Sequence, residues 1–358
     1  MNRIRTLDGI RGLAILLVVA GHIAANYQPL DPVWRQWLMA FANPSAGVRL
    51  FFVLSGYLIT HLLLKEHAAT GTVSLRGFYW RRGLRILPAF YVYLAVIALL
   101  SRWTPTGVSF QTGLAAGTFT WNYAFLWLAV PPEGVWDLGH LWTLALEQQF
   151  YLVWPMVILW LGPRRSLWIA IGMIVWCPLA RVATYFLFPA QRGMLVMMFH
   201  TGLDSIMAGC AAALLLQSSA RTAKLISHGA RFAPLAAVWL LLLSPLTGEM
   251  LQGFPVVAGI TLDALAAGWL IAWIHRAAPA GVGRVLGRGA LPALGAISYS
   301  LYLWQQPFLA PAGPLGHGVV GWPLAGALGL ALGSYWLIEK PALRLKATRP
   351  NLSAPAGP

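Results

Sequence analysis

Charge is scarce in this chain and cysteine almost missing. Asp, Glu, Lys and Arg make up 10% of its 358 residues, against about 25% in a soluble globular domain. No stretch is polar enough to surround a soluble core with a water-facing surface. Cys177 and Cys210 are the only cysteines and both lie in apolar runs, which excludes a disulfide framework and a cysteine-based zinc site. The 36 Gly and 24 Pro keep no collagen period and are spread among apolar residues, as membrane helices tolerate. Internal repeats and low-complexity tracts are likewise missing. What the chain has is hydrophobicity: 58% of residues are apolar and the mean hydropathy is +0.67. The expected fold is all-α, a polytopic helix bundle in a lipid bilayer.

Long apolar runs bounded by charge or by Pro/Gly turns predict ten spans, each near the roughly 20 residues that cross a bilayer. They are 8-27, 46-64, 83-101, 138-160, 167-187, 203-217, 233-247, 255-274, 290-310 and 317-338. A rival run at 112-130 holds Trp121-Asn122-Tyr123 and is assigned to an outer loop. The basic residues orient the bundle, because cytoplasmic loops hold the excess of Lys and Arg. With an even span count and the N-terminus inside, only Arg35, Arg49, Arg102, Arg181 and Arg192 of the 25 fall outside. The net charge of +15 is therefore topology, and no nucleic-acid partner is expected. Both termini are expected in the cytoplasm. Residues 1-346 form one membrane domain and 347-358 a short disordered tail. The basic start resembles a signal peptide, but Asp8 and Arg11 interrupt it and nine spans follow, so it reads as a mature helix.

Ionisable groups inside a span cost several kcal/mol unless paired or facing a cavity, so each is a functional candidate. His22 lies roughly 21 Å along the first span from Asp8, towards the outer leaflet; the alternative is a neutral His bonded to a backbone carbonyl. Arg11, eleven residues earlier, falls on nearly the same stripe about 16 Å away, where it can also serve as a headgroup anchor. Glu147 in the fourth span, Ser55 in the second and Gln305 in the ninth count to a similar depth as His22. Taken singly, Ser55-Gly56 is a small-residue packing site and Gln305 a helix-bridging amide. Arg82 and Arg85 share a face at the inner end of the third span, able to grip phosphate or simply to flank a membrane helix. Asp204, near the outer start of the sixth span, is an acceptor-binding candidate. His61 and His67 lack the clustered partners of a metal site, and no metal is assigned.

Several runs in order along the chain carry a family likeness. Leu7-Asp-Gly-Ile-Arg-Gly-Leu-Ala14 is followed by His22, Phe51-Phe-Val-Leu-Ser-Gly56 and Arg82-xx-Arg85. Then come His140-Leu-Trp up to Glu147, Leu203-Asp204, Ser298-Tyr-Ser-Leu-Tyr-Leu-Trp304 and Ile338-Glu-Lys-Pro341. Together they resemble the acyltransferase-3 family of integral membrane acyltransferases across essentially the whole chain. The resemblance implies ten transmembrane helices, in a bacterial cytoplasmic (inner) membrane, and transfer of an acyl group, commonly acetyl, from cytoplasmic acyl-CoA to a carbohydrate or glycosylated acceptor. Arg11 with His22 matches the family's Arg-x10-His pattern, and Arg82 with Arg85 its Arg-xx-Arg pattern. Some members carry a C-terminal esterase-like domain that this sequence lacks, so the chain is expected to complete transfer itself or to hand the acyl group on. Gln305 stands where many relatives read His, Gly202 where Arg often precedes Leu-Asp, and Gln148 where a second Glu is frequent.

The expected mechanism has His22 as general base on the acceptor hydroxyl, Glu147 orienting its imidazole, and Ser55 and Gln305 as oxyanion donors. Arg82 and Arg85, with Arg11, would hold the anionic nucleotide end of acetyl-CoA. The rival class is a transporter or flippase for a lipid-linked glycan, which would use the same intramembrane polar groups as a passage. The chain shows no two-half symmetry in its favour.

Overall fold

A computed structural model describes residues 5–26, 32–103, 108–128, 136–219, 222, 224, 229–251, 253–277, 280–309 and 321–345. The tail at 347–358, with Lys346 and the first residues of the expected span at 317–338, lies outside the described residues.

The helices are α1 (Arg5–Asn26), α2 (Pro32–Phe41), α3 (Pro44–Thr70), α4 (Leu75–Leu100), α5 (Phe110–Gly117), α6 (Trp136–Gly139), α7 (Leu141–Leu187), α8 (Phe199–Gly202) and α9 (Asp204–Ser218). There follow α10 (Ala233–Val238), α11 (Ser244–Met250), α12 (Ile260–Ala277), α13 (Ala280–Gly287), α14 (Ala290–Trp304), α15 (Gln306–Leu309), α16 (Gly321–Ser334) and α17 (Lys340–Leu345). No strand occurs among the described residues.

Local chemistry sets several boundaries. Asn43 caps α3 by accepting from the Ser45 N–H, Pro44 occupies its first turn, and Gly71 closes it in the left-handed conformation at φ 73°. Ser74 caps α4 from the Gly77 N–H. α7 runs for 47 residues, about 70 Å and twice what a bilayer requires. It is broken at Gly162, whose φ of 71° and ψ of 170° leave the helix just before Pro163. The two halves coincide with the expected spans 138–160 and 167–187.

Six helices are long and apolar enough to cross a membrane: Arg5–Ala25, Pro44–Thr70, Leu75–Leu100, Asp137–Leu187, Pro255–Arg276 and Gly321–Leu345. Three shorter apolar helices, Asp204–Ser218, Ala233–Gly248 and Ala290–Trp304, fall where spans were also expected. The rival run at 112–130 is split between the eight residues of α5 and a 3-10 turn at Trp121–Leu126, each too short to cross. α2 was not expected.

α1 is held between α3 and α14; α3 packs on α9, and α9 on α7 and α12. Glycine makes the closest crossings. A Cβ on Gly56 would stand 2.0 Å from the Ile206 carbonyl oxygen, and one on Gly209 only 1.9 Å from that of Val53, so α3 and α9 meet backbone to backbone. Gly295 does the same for α14, where a Cβ would come 1.8 Å from the Asp8 carbonyl oxygen of α1. Large apolar side chains cover the outside, with Trp103, Trp160, Phe186 and Leu337 each 70% exposed or more. Such a surface is an aggregation hazard in water and the ordinary complement of a lipid solvent.

Candidate active site

The Gly295 crossing has its consequence at the other end of α14. Beyond Trp304 the chain reaches Gln305, whose fully buried amide places Oε1 3.2 Å from His22 Nδ1 on α1. An amide oxygen only accepts, so the hydrogen sits on Nδ1 and the lone pair on Nε2. Gln305 Nε2 has no hydrogen-bond partner among the described residues.

Glu147 does not hold His22. Its Oε1 accepts from Ser55 Oγ at 2.5 Å and from Tyr151 hydroxyl at 2.6 Å, one turn along α7. Glu147 was expected to orient the imidazole; among the described residues that contact belongs to Gln305, because α14 approaches α1 more closely than α7 does. The Ser55 hydroxyl, expected as an oxyanion donor, is engaged by Glu147. Tyr151 was not singled out from the sequence, although Glu-xxx-Tyr spacing on a helix brings the two side chains together.

The arginines gather around this carboxylate. Arg82 lies over the rings of Phe78 and Tyr151, 5.8 and 5.6 Å from their centroids, and interacts electrostatically with Glu147 and Arg85. Arg11 interacts with Arg85, Tyr151, Asp8 and Glu147. Buried Glu339 accepts from Ser300 and faces Arg85 and Arg11. The Tyr299 hydroxyl donates to the Ile86 carbonyl at 2.9 Å, tying α14 to α4 above the cluster. Arg11, Arg82, Arg85, Glu147 and Ser55 therefore form one group, and His22 with Gln305 another, with α1 common to both.

Asp204 sits elsewhere. It is fully buried, its Oδ2 accepts from Arg181 at 2.9 Å and from Thr261 Oγ1 at 2.6 Å, and Oδ1 from the Ser205 N–H at 3.0 Å. Arg181, equally buried, also donates to the carbonyls of Val256 and Thr201, at 2.6 and 2.7 Å, and to Thr261 Oγ1 at 2.7 Å. The carboxylate expected to bind acceptor is thus closed inside a saturated ion pair. Arg49 is also paired, its Nη2 2.9 Å from Asp263, although its Nε has no hydrogen-bond partner among the described residues. Arg49 and Arg181, counted from the sequence only among the outer basic residues, are thus each paired with a carboxylate inside the bundle.

A second polar group borders His22. His140 is buried against the rings of Tyr93 and Tyr302, with centroids 5.5 and 5.4 Å away, and interacts electrostatically with His22. The described residues contain no group of three or more His, Cys, Asp or Glu able to hold a metal.

The acyltransferase-3 family, described as an acyltransferase domain, matches residues 4–338. Among curated proteins, the peptidoglycan O-acetyltransferase OatA of Listeria monocytogenes is 28% identical over 336 residues, 87% of this chain and 50% of that protein. The Bacillus subtilis protein provisionally named peptidoglycan O-acetyltransferase YrhL is 27% identical over 86% of this chain and 49% of its own length. A Staphylococcus aureus protein provisionally named O-acetyltransferase SACOL0978 is 34% identical over 49% of this chain and 28% of its own length. The chain spans half or less of the length of these relatives. No solved structure matches it. With a family match over nearly its whole length and helices long and apolar enough to cross a bilayer, the chain is an integral membrane protein of the acyltransferase-3 family.

Proposed function

We propose that the chain is a membrane O-acyltransferase that moves an acyl group, acetyl in the first instance, from cytoplasmic acyl-CoA to a hydroxyl of a carbohydrate or glycosylated acceptor. One observation carries the reading: α1 presents His22, with Nδ1 occupied by Gln305, at one end, and joins the Arg82–Arg85 cluster through Arg11 at the other. A donor with an anionic head and a long arm ending in a thioester fits that separation. Two of the relatives are named for peptidoglycan, a hydroxyl-bearing glycan.

His22 Nε2 takes the proton from the acceptor hydroxyl as its oxygen attacks the thioester carbonyl. The C–S bond breaks, and the departing thiolate receives the proton from the imidazolium, leaving an ester and a thiol. Gln305 Nε2, unpartnered and on the amide that holds His22, is the donor available to the carbonyl oxygen as it gains negative charge. Arg11, Arg82 and Arg85 bind the phosphates of the donor. With α7 counted on either side of Gly162 and the three shorter apolar helices included, the bundle has ten spans. Both termini are then cytoplasmic, in a bacterial inner membrane. The internal pairing of Arg49 and Arg181 leaves only Arg35, Arg102 and Arg192 as outer loop charges, which sharpens the bias.

The test is thiol release and acceptor mass gain by the purified chain in lipid, supplied with acetyl-CoA and simple glycosides. Transfer should rise with pH as His22 loses its proton. His22→Gln, folded and still binding CoA, should lose roughly 10²–10⁴-fold in rate. A folded His22→Gln protein with near wild-type transfer would rule out the base, and glycan movement without thioester consumption would favour a flippase.

A further inference from the structure

Buried polar atoms are almost always hydrogen-bonded, and those that are not call for an explanation. Beside His22, five neighbouring side chains hold such atoms at once: Asp137 Oδ1, both ring nitrogens of His140, Trp304 Nε1, Gln305 Nε2 and Gln306 Oε1 have no hydrogen-bond partner among the described residues. All five residues are 5% exposed or less.

They belong to two short walls, 137–140 and 304–306, which the structure locks together. The Tyr93 ring stands edge-on to both His140 and Trp304, with centroids 5.5 and 5.3 Å away, and its hydroxyl donates to the Asp137 carbonyl at 2.5 Å. The Tyr302 hydroxyl donates to the His140 carbonyl at 3.2 Å. The Gln306 amide lies along Gly139, where an added Cβ would come within 3.8 Å of Nε2. Gln305 joins this group to His22 through its other amide atom. The backbones and rings are therefore fixed, and only the atoms able to bind a ligand are unused.

We propose that these two walls form the acceptor subsite, built for an uncharged polyhydroxylated ring that offers a second hydroxyl next to the one acylated. This deepens the reading above and rests on it for the identity of the reacting hydroxyl. The chemistry of the unused atoms names the ligand class. Asp137 and Gln306 supply acceptors for O–H groups, Trp304 and Gln305 supply donors for hydroxyl or ring oxygens, and His140 can serve as either. A sugar hydroxyl both donates and accepts, and so satisfies a mixed set of this kind. Asp137, lacking a cationic partner in this group, would repel a carboxylate or phosphate at the same place. His140 is a binding residue here, and His22 alone moves the reacting proton.

The experiment uses the full chain in lipid nanodiscs and separates binding from transfer. Methyl glucoside, N-acetylglucosamine and glucuronate are titrated by saturation-transfer NMR without any acyl donor, and acceptor KM is measured separately with acetyl-CoA. The uncharged pyranosides should saturate and glucuronate should bind at least tenfold more weakly, with Asp137→Asn narrowing that gap. His140→Ala should raise acceptor Kd and KM at least tenfold while the Kd for CoA changes less than twofold. Should His140→Ala fail to fold, Gln306→Leu, which removes an acceptor outright, carries the same measurement. Unchanged acceptor Kd in these folded variants, or preference for glucuronate, would overturn the subsite. Saturable pyranoside binding that the variants abolish, in a protein that transfers no acyl group, would instead support the subsite and overturn the proposed reaction.

Discussion

Two polar clusters are buried in this bundle to nearly the same degree, and they differ in whether their hydrogen bonds are used. In the Arg181–Asp204–Thr261 cluster, Nε, Nη1 and Nη2 of the guanidinium and both carboxylate oxygens are engaged, which fastens α7 to α9 and to the start of α12. In the Asp137–His140–Gln305–Gln306 group, donors and acceptors of similar burial go unpaired. An intramembrane charge alone does not distinguish a fastening from a site, since both are costly to bury. The use of hydrogen-bonding atoms does: in the first cluster every guanidinium nitrogen and both carboxylate oxygens are engaged, and in the proposed subsite atoms on five adjoining side chains are left over for a ligand.

The largest effect that sharpens this contrast is expected at Asp204. Asp204→Ala leaves the Arg181 guanidinium, 0% exposed, without its counter-charge. A broken buried pair costs about 3–5 kcal/mol, so the variant should be lost from the membrane fraction or melt far below wild type. Arg181→Met combined with Asp204→Leu should recover much of that stability, because a matched apolar replacement leaves no lone charge. If Asp204→Ala were stable but deficient in acceptor binding, the saturated cluster would have to be counted as a site.

The sequence made the helices legible and left their contacts mostly hidden. Apolar runs near 20 residues long located the long spans, and Gly162-Pro163 is visible as the break that turns one 47-residue helix into two segments. Arg82 and Arg85 could be grouped from their spacing along one helix, whereas Arg11, on another, was joined to them only by the length of an acyl-CoA donor. Depth counting also put Ser55, Glu147, Gln305 and His22 at one level, but depth is a single coordinate. Which of them touch depends on how closely α14 approaches α1, and that is decided at Gly295, ten residues before Gln305. Asp204 read as a free carboxylate because its partner, Arg181, is 23 residues away in another expected span and was counted only among the outer charges. His140 stood out only as the start of a family-like run and Gln306 not at all, since an unpaired atom is recognised only when its surroundings are known.

A smaller change is expected in the arginine group, which lies between these extremes because its charges are partly offset by Glu147 and Glu339. Arg82→Ala or Arg85→Ala should weaken CoA binding by about 1.5–3 kcal/mol, the range for a hydrogen bond to a charged group, with little change in acceptor KM. Arg→Lys at either position retains the charge and loses the planar fork, so it tests whether bidentate geometry matters. Isothermal titration with CoA reads both. Unchanged affinity in folded variants would return the pair to a role in membrane orientation.

The smallest expected effect on stability is the one that separates the two clusters most clearly. His140→Phe replaces a ring whose two nitrogens are unpaired by an apolar ring, in a setting already built from Tyr93 and Tyr302. Where a buried polar atom makes no hydrogen bond, removing it relieves a desolvation cost of about 1–3 kcal/mol, set here against the slightly larger ring. The melting midpoint in detergent, followed by the loss of monodisperse protein on heating, should therefore stay level or rise. Acceptor binding should fall at the same time, the trade expected where a site holds unsatisfied groups ready for its ligand. If His140 instead served the fold, as Arg181 does, His140→Phe would melt several degrees lower, and the distinction between a saturated and an unsaturated cluster would no longer mark the site.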